Sequence, residues 1–218
     1  MEFQETTDVS DFLERVARVA PAIREAAEEI ERSQRLSPEL RAKLHNEKFF
    51  RLLLPKAFGG EEVSPPAFFE TMSALAENDA STAWCICQAN GCAMTAAYVA
   101  PEIAQKIWGN DPHAVMAWGP GKAEYTEKDD GHVISGRWQF ASGSRHATWL
   151  GGRTPMTLSD GKSVFRTFLF PASEVEMIEI WDVLGLRGTG SDGYSVKDLF
   201  VPKGYLATPG LDVEERLY

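Results

Sequence analysis

Cysteine and histidine are scarce in this sequence, and their placement argues against disulfide bonds and metal sites. Three cysteines and four histidines occur among 218 residues. Cys85, Cys87 and Cys92 are clustered on one predicted helix, and an odd, clustered set is not typical of a disulfide framework. We interpret them as buried free thiols. The histidines are scattered and form no paired ligand motif with one another or with cysteine, so we predict no metal.

Basic residues are also in the minority. Lysine and arginine number 22 against 32 acidic residues, which gives a formal net charge of −10 and a pI near 4.9. This charge repels polyanions, and we expect no nucleic-acid partner and no membrane partner. No apolar run reaches the roughly 18 residues of a membrane helix, and no basic segment followed by an apolar run marks a leader. We therefore expect a cytoplasmic protein.

The first half of the chain carries helical patterns. With 44% hydrophobic residues, the chain can build a packed core. Residues 8–33 place apolar side chains at spacings of three and four, which predicts an amphipathic helix. Further helices are predicted to begin at Ser37-Pro38, at Ser64-Pro65 and at Pro101, because a cap residue or a proline favours the first turn. Residues 79–99 are apolar almost all round, which predicts a helix buried on every side.

The second half changes to a period of two, which is typical of strands. Turn signals at Asp129-Asp130-Gly131 and Ser159-Asp160-Gly161 predict hairpins, and short strands with such turns suggest a barrel or sandwich. We predict an α+β fold with an N-terminal all-α helical domain over residues 1–111 and an antiparallel β-barrel domain over residues 112–210. The candidate strands lie near residues 114–118, 122–127, 132–140, 147–152, 163–170, 175–180 and 194–201.

Residues 136–149 read GRWQFASGSRHATW and are the most distinctive stretch of the chain. Trp138 and Phe140 alternate with polar residues as in a half-buried strand, and this pattern alone favours aromatics that simply pack in a core. The small residues and hydroxyls at positions 141–144 suit a backbone that closely approaches a flat ligand. For Ser142, a turn hydroxyl that bonds its own backbone is the alternative interpretation.

Ordered motifs extend over nearly the whole chain: RLLLP at 51–55, FGG at 58–60, STAW at 81–84, GRWQFASG at 136–143 and LGLRGTGS at 184–191. Together they resemble the acyl-CoA dehydrogenase fold superfamily. More narrowly, they resemble its branch of flavin-dependent hydroxylases, the oxygenase components of two-component monooxygenases.

The resemblance implies that the chain lacks a C-terminal part. In that superfamily a bundle of helices follows the strands, completes the flavin pocket and supplies the acid/base residue. We therefore expect residues 211–218 to begin a C-terminal helical domain that is missing here, and the catalytic acid/base stays unassigned.

The resemblance also implies a flavin site. Phe140 matches the position whose aromatic packs beside the flavin ring, and Ser142, followed by Gly143, matches the position that bonds the ring near N5. The loop Trp118-Gly119-Pro120 resembles the segment that passes the pyrimidine edge of the flavin. This loop lacks the Thr-Glu and Ser-Asp pairs of the dehydrogenases, which favours the hydroxylase branch.

Three further residues are candidates for the substrate pocket. Trp84 resembles a pocket-wall position in the hydroxylases, and a plain core tryptophan is the equal alternative. His146 has the chemistry of an acid or base near neutral pH, although a lone histidine beside a strand is more often structural. Arg187 lies in a glycine-rich turn, where an ion-paired or solvated arginine is at least as good an interpretation.

Gly188-Thr189-Gly190-Ser191-Asp192-Gly193 satisfies the spacing of a dinucleotide-binding loop. That fingerprint binds pyrophosphate only where it opens a helix. Residues 194–201 alternate like a strand instead, so we predict a turn between barrel strands.

The function implied by the resemblance is hydroxylation of a small aromatic or heteroaromatic substrate. A separate flavin reductase would supply reduced FAD or FMN, and the protein would be a homo-oligomer, a tetramer in the family. One alternative is an acyl-CoA dehydrogenase-like FAD enzyme. The other is a non-catalytic fragment or binding module that lacks the C-terminal bundle.

Overall fold

The computed structural model describes residues 8–157 and 160–207. Helices occupy the first part of the chain and strands the second, as the change of period predicts. The residues expected to begin a third domain, 211–218, lie outside the described part. The helices are α1 (Ser10–Ser33), α2 (Pro38–Asn46), α3 (Pro65–Ala76), α4 (Ala80–Ala93) and α5 (Pro101–Ala104), the last continuing as a π-helical turn, Gln105–Gly109.

Local sequence explains where these helices begin and end. The Ser37 hydroxyl accepts a hydrogen bond from the Leu40 amide at 3.2 Å, so α2 begins with a side-chain cap before Pro38. The Asp79 carboxylate caps α4 in the same way. Helix α1 ends where Gln34 turns into the left-handed region, with φ 56°. Among the described residues, no helix has the length and apolarity to cross a membrane.

Helix α4 is less buried than its apolar sequence predicts. Cys85 and Cys92 are buried, and burial raises the pKa of each thiol to about 12. Cys87 is only partly buried, and all three thiols are free. Trp84 is 43% exposed. The expectation of burial on every side was therefore wrong, and Trp84 is not a core tryptophan.

Asn90 is the fully buried polar residue that ties α4 to the segment before α3. Its side-chain carbonyl accepts from the Leu53 amide at 2.9 Å, and its amide group donates to the Phe49 carbonyl at 2.7 Å. Asn90→Ala removes both partners, so we expect a loss of about 2 kcal/mol or more in the free energy of unfolding. Urea denaturation measures this. Asn110→Ala is the control, because the exposed Asn110 bonds only Gln105 among the described residues, and a similar loss there would contradict the account.

The strands form two four-stranded sheets rather than the predicted closed barrel. The strands are β1 (Met116–Ala117), β2 (Gly121–Lys128), β3 (Gly131–Ala141), β4 (Trp149–Thr157), β5 (Ser163–Pro171), β6 (Glu176–Ile178), β7 (Asp192–Pro202) and β8 (Leu206–Ala207). One sheet has the order β1-β4-β5-β8 and the other β2-β3-β7-β6. The pairing is antiparallel except that β1 runs parallel to β4.

Side chains, not a backbone ladder, join the two sheets at the junction of β2 and β4. The Thr154 hydroxyl accepts from the Ala123 amide at 3.0 Å and donates to the Ala123 carbonyl at 3.3 Å. These bonds occupy backbone groups that a closed barrel would pair across the strands. Trp138 fills the space between the sheets, stacked on Tyr194 at 5.4 Å between ring centroids and tilted against Phe170 at 5.9 Å. The barrel prediction was therefore wrong, and the sheets pack through their side chains.

Arg51 joins the helical part to the strand-bearing part. Its guanidinium is buried and donates to the carbonyls of Phe58, Trp108 and Pro112 at 3.0, 2.6 and 3.0 Å. It also donates to the Asp111 carbonyl. Burial lowers the pKa of this guanidinium. The chain between the last helix and β1 is thus bound to the first quarter of the sequence through one side chain.

Candidate functional site

The end of β3 departs from regular strand geometry at Phe140. The pairing of β3 with β7 shifts register between Trp138 and Ala141, and Phe140 has φ 56°. A positive φ is costly for a bulky side chain and is retained where the surroundings enforce it. The result is an aromatic ring that is 59% exposed instead of packed in the core. Its neighbour is Trp181, edge-on at 6.3 Å between ring centroids.

A chain of hydroxyl groups begins two residues later. Trp84 Nε1 donates to Ser142 Oγ at 3.0 Å, and Ser142 Oγ lies 2.7 Å from Ser191 Oγ. Ser191 Oγ lies 2.7 Å from Thr189 Oγ1, which donates to the Leu186 carbonyl at 2.9 Å. Helix α4, the end of β3 and the turn before β7 thus meet at Ser142.

The direction of this hydroxyl chain follows from its last bond. A carbonyl only accepts, so the Thr189 proton points to Leu186. Ser191 must then donate to Thr189, and Ser142 must donate to Ser191. The Ser142 oxygen also accepts from Trp84, which leaves it one free lone pair. Ser142 therefore presents an acceptor to any ligand that reaches it.

The loop between β1 and β2 passes the end of β3. The Gln139 amide donates to the Pro120 carbonyl at 3.0 Å. A Cβ atom on Gly119 would lie 1.7 Å from the Gln139 carbonyl oxygen, so only glycine fits this approach. Gly143 has φ 77°, and its amide donates to the Thr189 carbonyl at 2.8 Å. These contacts fix the loop and the turn relative to Phe140.

A cavity of about 430 Å³ lies against this loop. Phe140 belongs to its wall, and a second recess of about 730 Å³ lies on the other side of Phe140 and Pro120. Arg153 contributes a guanidinium stacked 4.9 Å from the ring of Phe165. The first cavity is lined by Gln88, Trp118, Gly119, Pro120, Gly121, Phe140, Arg153 and Phe165. This combination suits a planar ligand with an N–H donor at its edge.

The structure places two of the sequence candidates elsewhere. His146 is buried, and its Nε2 accepts from the Leu36 amide at 2.8 Å. Burial and neighbouring positive charges lower the pKa of His146 to about 3. Arg187 donates to Asp182 at 2.7 Å and to the Val183 carbonyl at 3.0 Å. Neither lines the cavity, so Trp84, Phe140 and Ser142 come together while His146 and Arg187 take structural contacts.

A buried ion pair supports the site and was missed from the sequence. Asp192 is 0% exposed, and its carboxylate lies 2.5 Å from Arg145 Nε. Its other oxygen accepts from the amides of Ile180 and Trp181, both at 3.0 Å. Because Trp181 contacts Phe140, this pair holds the segment beside the site. The only signal in the sequence was the glycine-rich motif that contains Asp192.

That glycine-rich motif opens a strand, as predicted. A 3₁₀ turn, Arg187–Thr189, precedes β7, and no helix begins at the motif. Backbone amides at a helix N-terminus, which a dinucleotide site needs, are therefore not provided here. The motif instead contributes Thr189, Ser191 and Asp192 to the contacts described above.

Comparison with known proteins identifies relatives. No protein-family model matches the chain. It is 35% identical over 199 residues to the flavin-dependent monooxygenase oxygenase subunit HsaA of Mycobacterium tuberculosis, a match that covers 90% of this chain and 50% of HsaA. This chain is a homologue of flavin-dependent monooxygenase oxygenase subunits. The resemblance inferred from the motifs is confirmed.

Other comparisons agree with this oxygenase homology. The chain is 34% identical over 194 residues to indole-3-acetate monooxygenase of Acinetobacter baumannii, covering 86% of this chain and 48% of that protein. The structure of XiaF from Streptomyces sp. in complex with FADH2 and glycerol has a TM-score of 0.82 and 25% identity, covering 92% of this chain and 51% of XiaF. The oxygenase homologue thus spans about half the length of the curated relatives it matches.

Proposed function

We propose that this chain forms part of the flavin and substrate site of an oxygenase component that hydroxylates a small aromatic or heteroaromatic substrate. In this proposal a separate reductase supplies reduced FAD or FMN. The names of the relatives support it, since they include an oxygenase subunit and a monooxygenase of indole-3-acetate. The reduced flavin bound to XiaF supports the choice of cofactor.

The free lone pair of Ser142 is the observation that carries the proposal. Reduced flavin bears a proton on N5, whereas N5 of oxidised flavin is an acceptor. Because the hydroxyl chain consumes the Ser142 proton, Ser142 accepts from N5–H and has no proton to offer the oxidised ring. The site therefore favours the reduced cofactor that a reductase delivers.

The other residues of the site have proposed roles that follow from their contacts. Phe140 provides an apolar face for the ring, and Trp118-Gly119-Pro120 passes its edge with Gly143 shaping the turn behind it. Trp84 orients Ser142 and lies on the substrate side. When bound, reduced flavin supplies the electrons that activate dioxygen for transfer to the substrate. The aromatic walls exclude water from that reaction.

Ser142→Ala tests this assignment directly. We expect the dissociation constant for reduced FAD or FMN to rise about threefold to tenfold, because one hydrogen bond to N5–H is lost. The affinity for oxidised flavin should change less. The measurement is an anaerobic titration of the purified chain, followed spectroscopically, with each flavin in both redox states.

Ser163→Ala is the matched control, since Ser163 is exposed at the start of β5. It should leave every affinity unchanged. Equal losses of reduced and oxidised flavin in Ser142→Ala would contradict the acceptor role. No saturable binding of any flavin to the wild-type chain would contradict the proposal that this part of the protein forms the site.

We also propose a domain boundary near residues 110–112, a homo-oligomeric assembly and a cytoplasmic location. Large apolar side chains exposed beside the site, including Trp84 and Phe140, support burial by further polypeptide. The three free thiols support a reducing compartment.

A further inference from the structure

A second cavity lies between α2 and the start of the strand-bearing part and shares no lining residue with the proposed flavin site. Its volume is about 310 Å³. Its walls carry several nitrogen-bearing side chains, chiefly those of Arg41, His45, Asn46, His113 and His146. The rings of His45 and His113 lie 4.9 Å apart between centroids.

His146 presents a buried donor to this cavity. It is 7% exposed, and because its Nε2 accepts from the Leu36 amide, that nitrogen carries no proton. The ring is neutral at pH 7, since burial lowers its pKa to about 3, so the proton is on Nδ1. Within residues 8–157 and 160–207, this Nδ1 has no hydrogen-bond partner.

Arg41 presents a second buried donor of the same kind. Its Nε atom is buried and has no hydrogen-bond partner among the residues that the structure describes. The positive charge of Arg41 lowers the pKa of both His45 and His146, which places the guanidinium near both rings. Buried donors without acceptors are rare in folded proteins. Two of them in one cavity require a ligand that supplies acceptors.

The charges around the cavity are mostly positive. Arg35 and Arg145 face His146, and Arg51 faces His45. Asp111 is the negative group near His45, and Arg145 is itself paired with Asp192. A cation would therefore be repelled, whereas an anion gains charge-assisted hydrogen bonds.

We propose that this cavity binds a small oxyanion, a phosphate or carboxylate group, whose oxygens accept from Arg41 Nε and His146 Nδ1. The site is separate from the flavin chemistry and needs no flavin for binding. Inorganic phosphate and acetate are the two probes, and together they distinguish a tetrahedral oxyanion from a planar carboxylate.

The test is an NMR titration of the histidine Cε1 protons in the purified chain at pH 7.5. Sodium phosphate or sodium acetate replaces sodium chloride at constant ionic strength. We expect saturable shifts of the His146 and His45 signals with at least one probe. His132 is an internal control, because it packs in the sheet against Phe168, and its signal should not move.

Arg41→Gln should weaken that binding about tenfold or more, because a charge-assisted hydrogen bond is lost. Lys43→Gln makes the same charge change on the same helix, at an exposed position outside the cavity, and should preserve affinity. Arg41→Lys keeps the charge and should bind with intermediate affinity, and the unfolding midpoint of each variant checks its fold. No saturable shift with either probe, or equal affinity in Arg41→Gln and Lys43→Gln, would overturn the proposal.

Discussion

Asp192→Ala is expected to lower the free energy of unfolding by about 3 to 5 kcal/mol, the usual cost of removing one partner from a buried ion pair. The Arg145 guanidinium, whose side chain is 8% exposed, would stay in the interior without its counter-charge. The amides of Ile180 and Trp181 would lose their acceptor as well. Chemical denaturation followed by tryptophan fluorescence and by circular dichroism measures the loss.

Two variants separate the ion pair from a general loss of charge. Asp198→Asn removes an exposed carboxylate from the same strand and should change stability by about 0.5 kcal/mol or less. Arg145→Met combined with Asp192→Leu removes both charges and should be less destabilised than Asp192→Ala, because no charge is then buried alone. A cost below about 1 kcal/mol for Asp192→Ala would show that the pair does not hold this region.

Acid is expected to destabilise the chain steeply between pH 6.5 and pH 4. The ordinary histidine pKa is 6.5, and burial and nearby cations lower it to about 3 for His146 and to about 4 for His45. The unfolded chain therefore binds protons that the folded chain refuses. Their contribution is present above pH 6.5 and is lost as the pH falls towards the folded-state values. Each histidine removes at most about 1.4 kcal/mol per pH unit.

The measurement is the free energy of unfolding by urea at half-unit steps of pH. His146→Gln keeps an acceptor for the Leu36 amide and removes the titrating ring, so its slope should be smaller by about one proton. His113→Gln removes an exposed ring from the same cavity and should leave the slope closer to wild type. A stability that stays flat from pH 6.5 to pH 4 would contradict a neutral, buried His146.

The helices and strands could be predicted because their signals are local. The apolar spacing of α1 and the cap at Ser37 are contained in a few neighbouring residues. Closure of the barrel could not be predicted in the same way. It depends on whether the edge of β2 pairs with β4, and Thr154 takes those backbone groups from 31 residues away in the sequence.

The site was predictable in part for the same reason. Phe140 and Ser142 stand within one motif, whose resemblance to a family carried them. The hydroxyl chain and the ion pair join residues more than 40 positions apart, 142 to 191 and 145 to 192, and no local pattern marks such contacts. Burial of His146 against Leu36, 110 positions away, is equally invisible in the sequence.

The carbonyls that Arg51 binds limit how this chain can be divided. Asp111 and Pro112, on either side of the proposed boundary, both accept from its guanidinium. A cut between them would leave the helical piece with a buried cation missing one ligand and would leave the other piece without its anchor. Expression of the two pieces as separate polypeptides therefore requires that they meet before either is fully folded, and the joint is better moved than cut at that point.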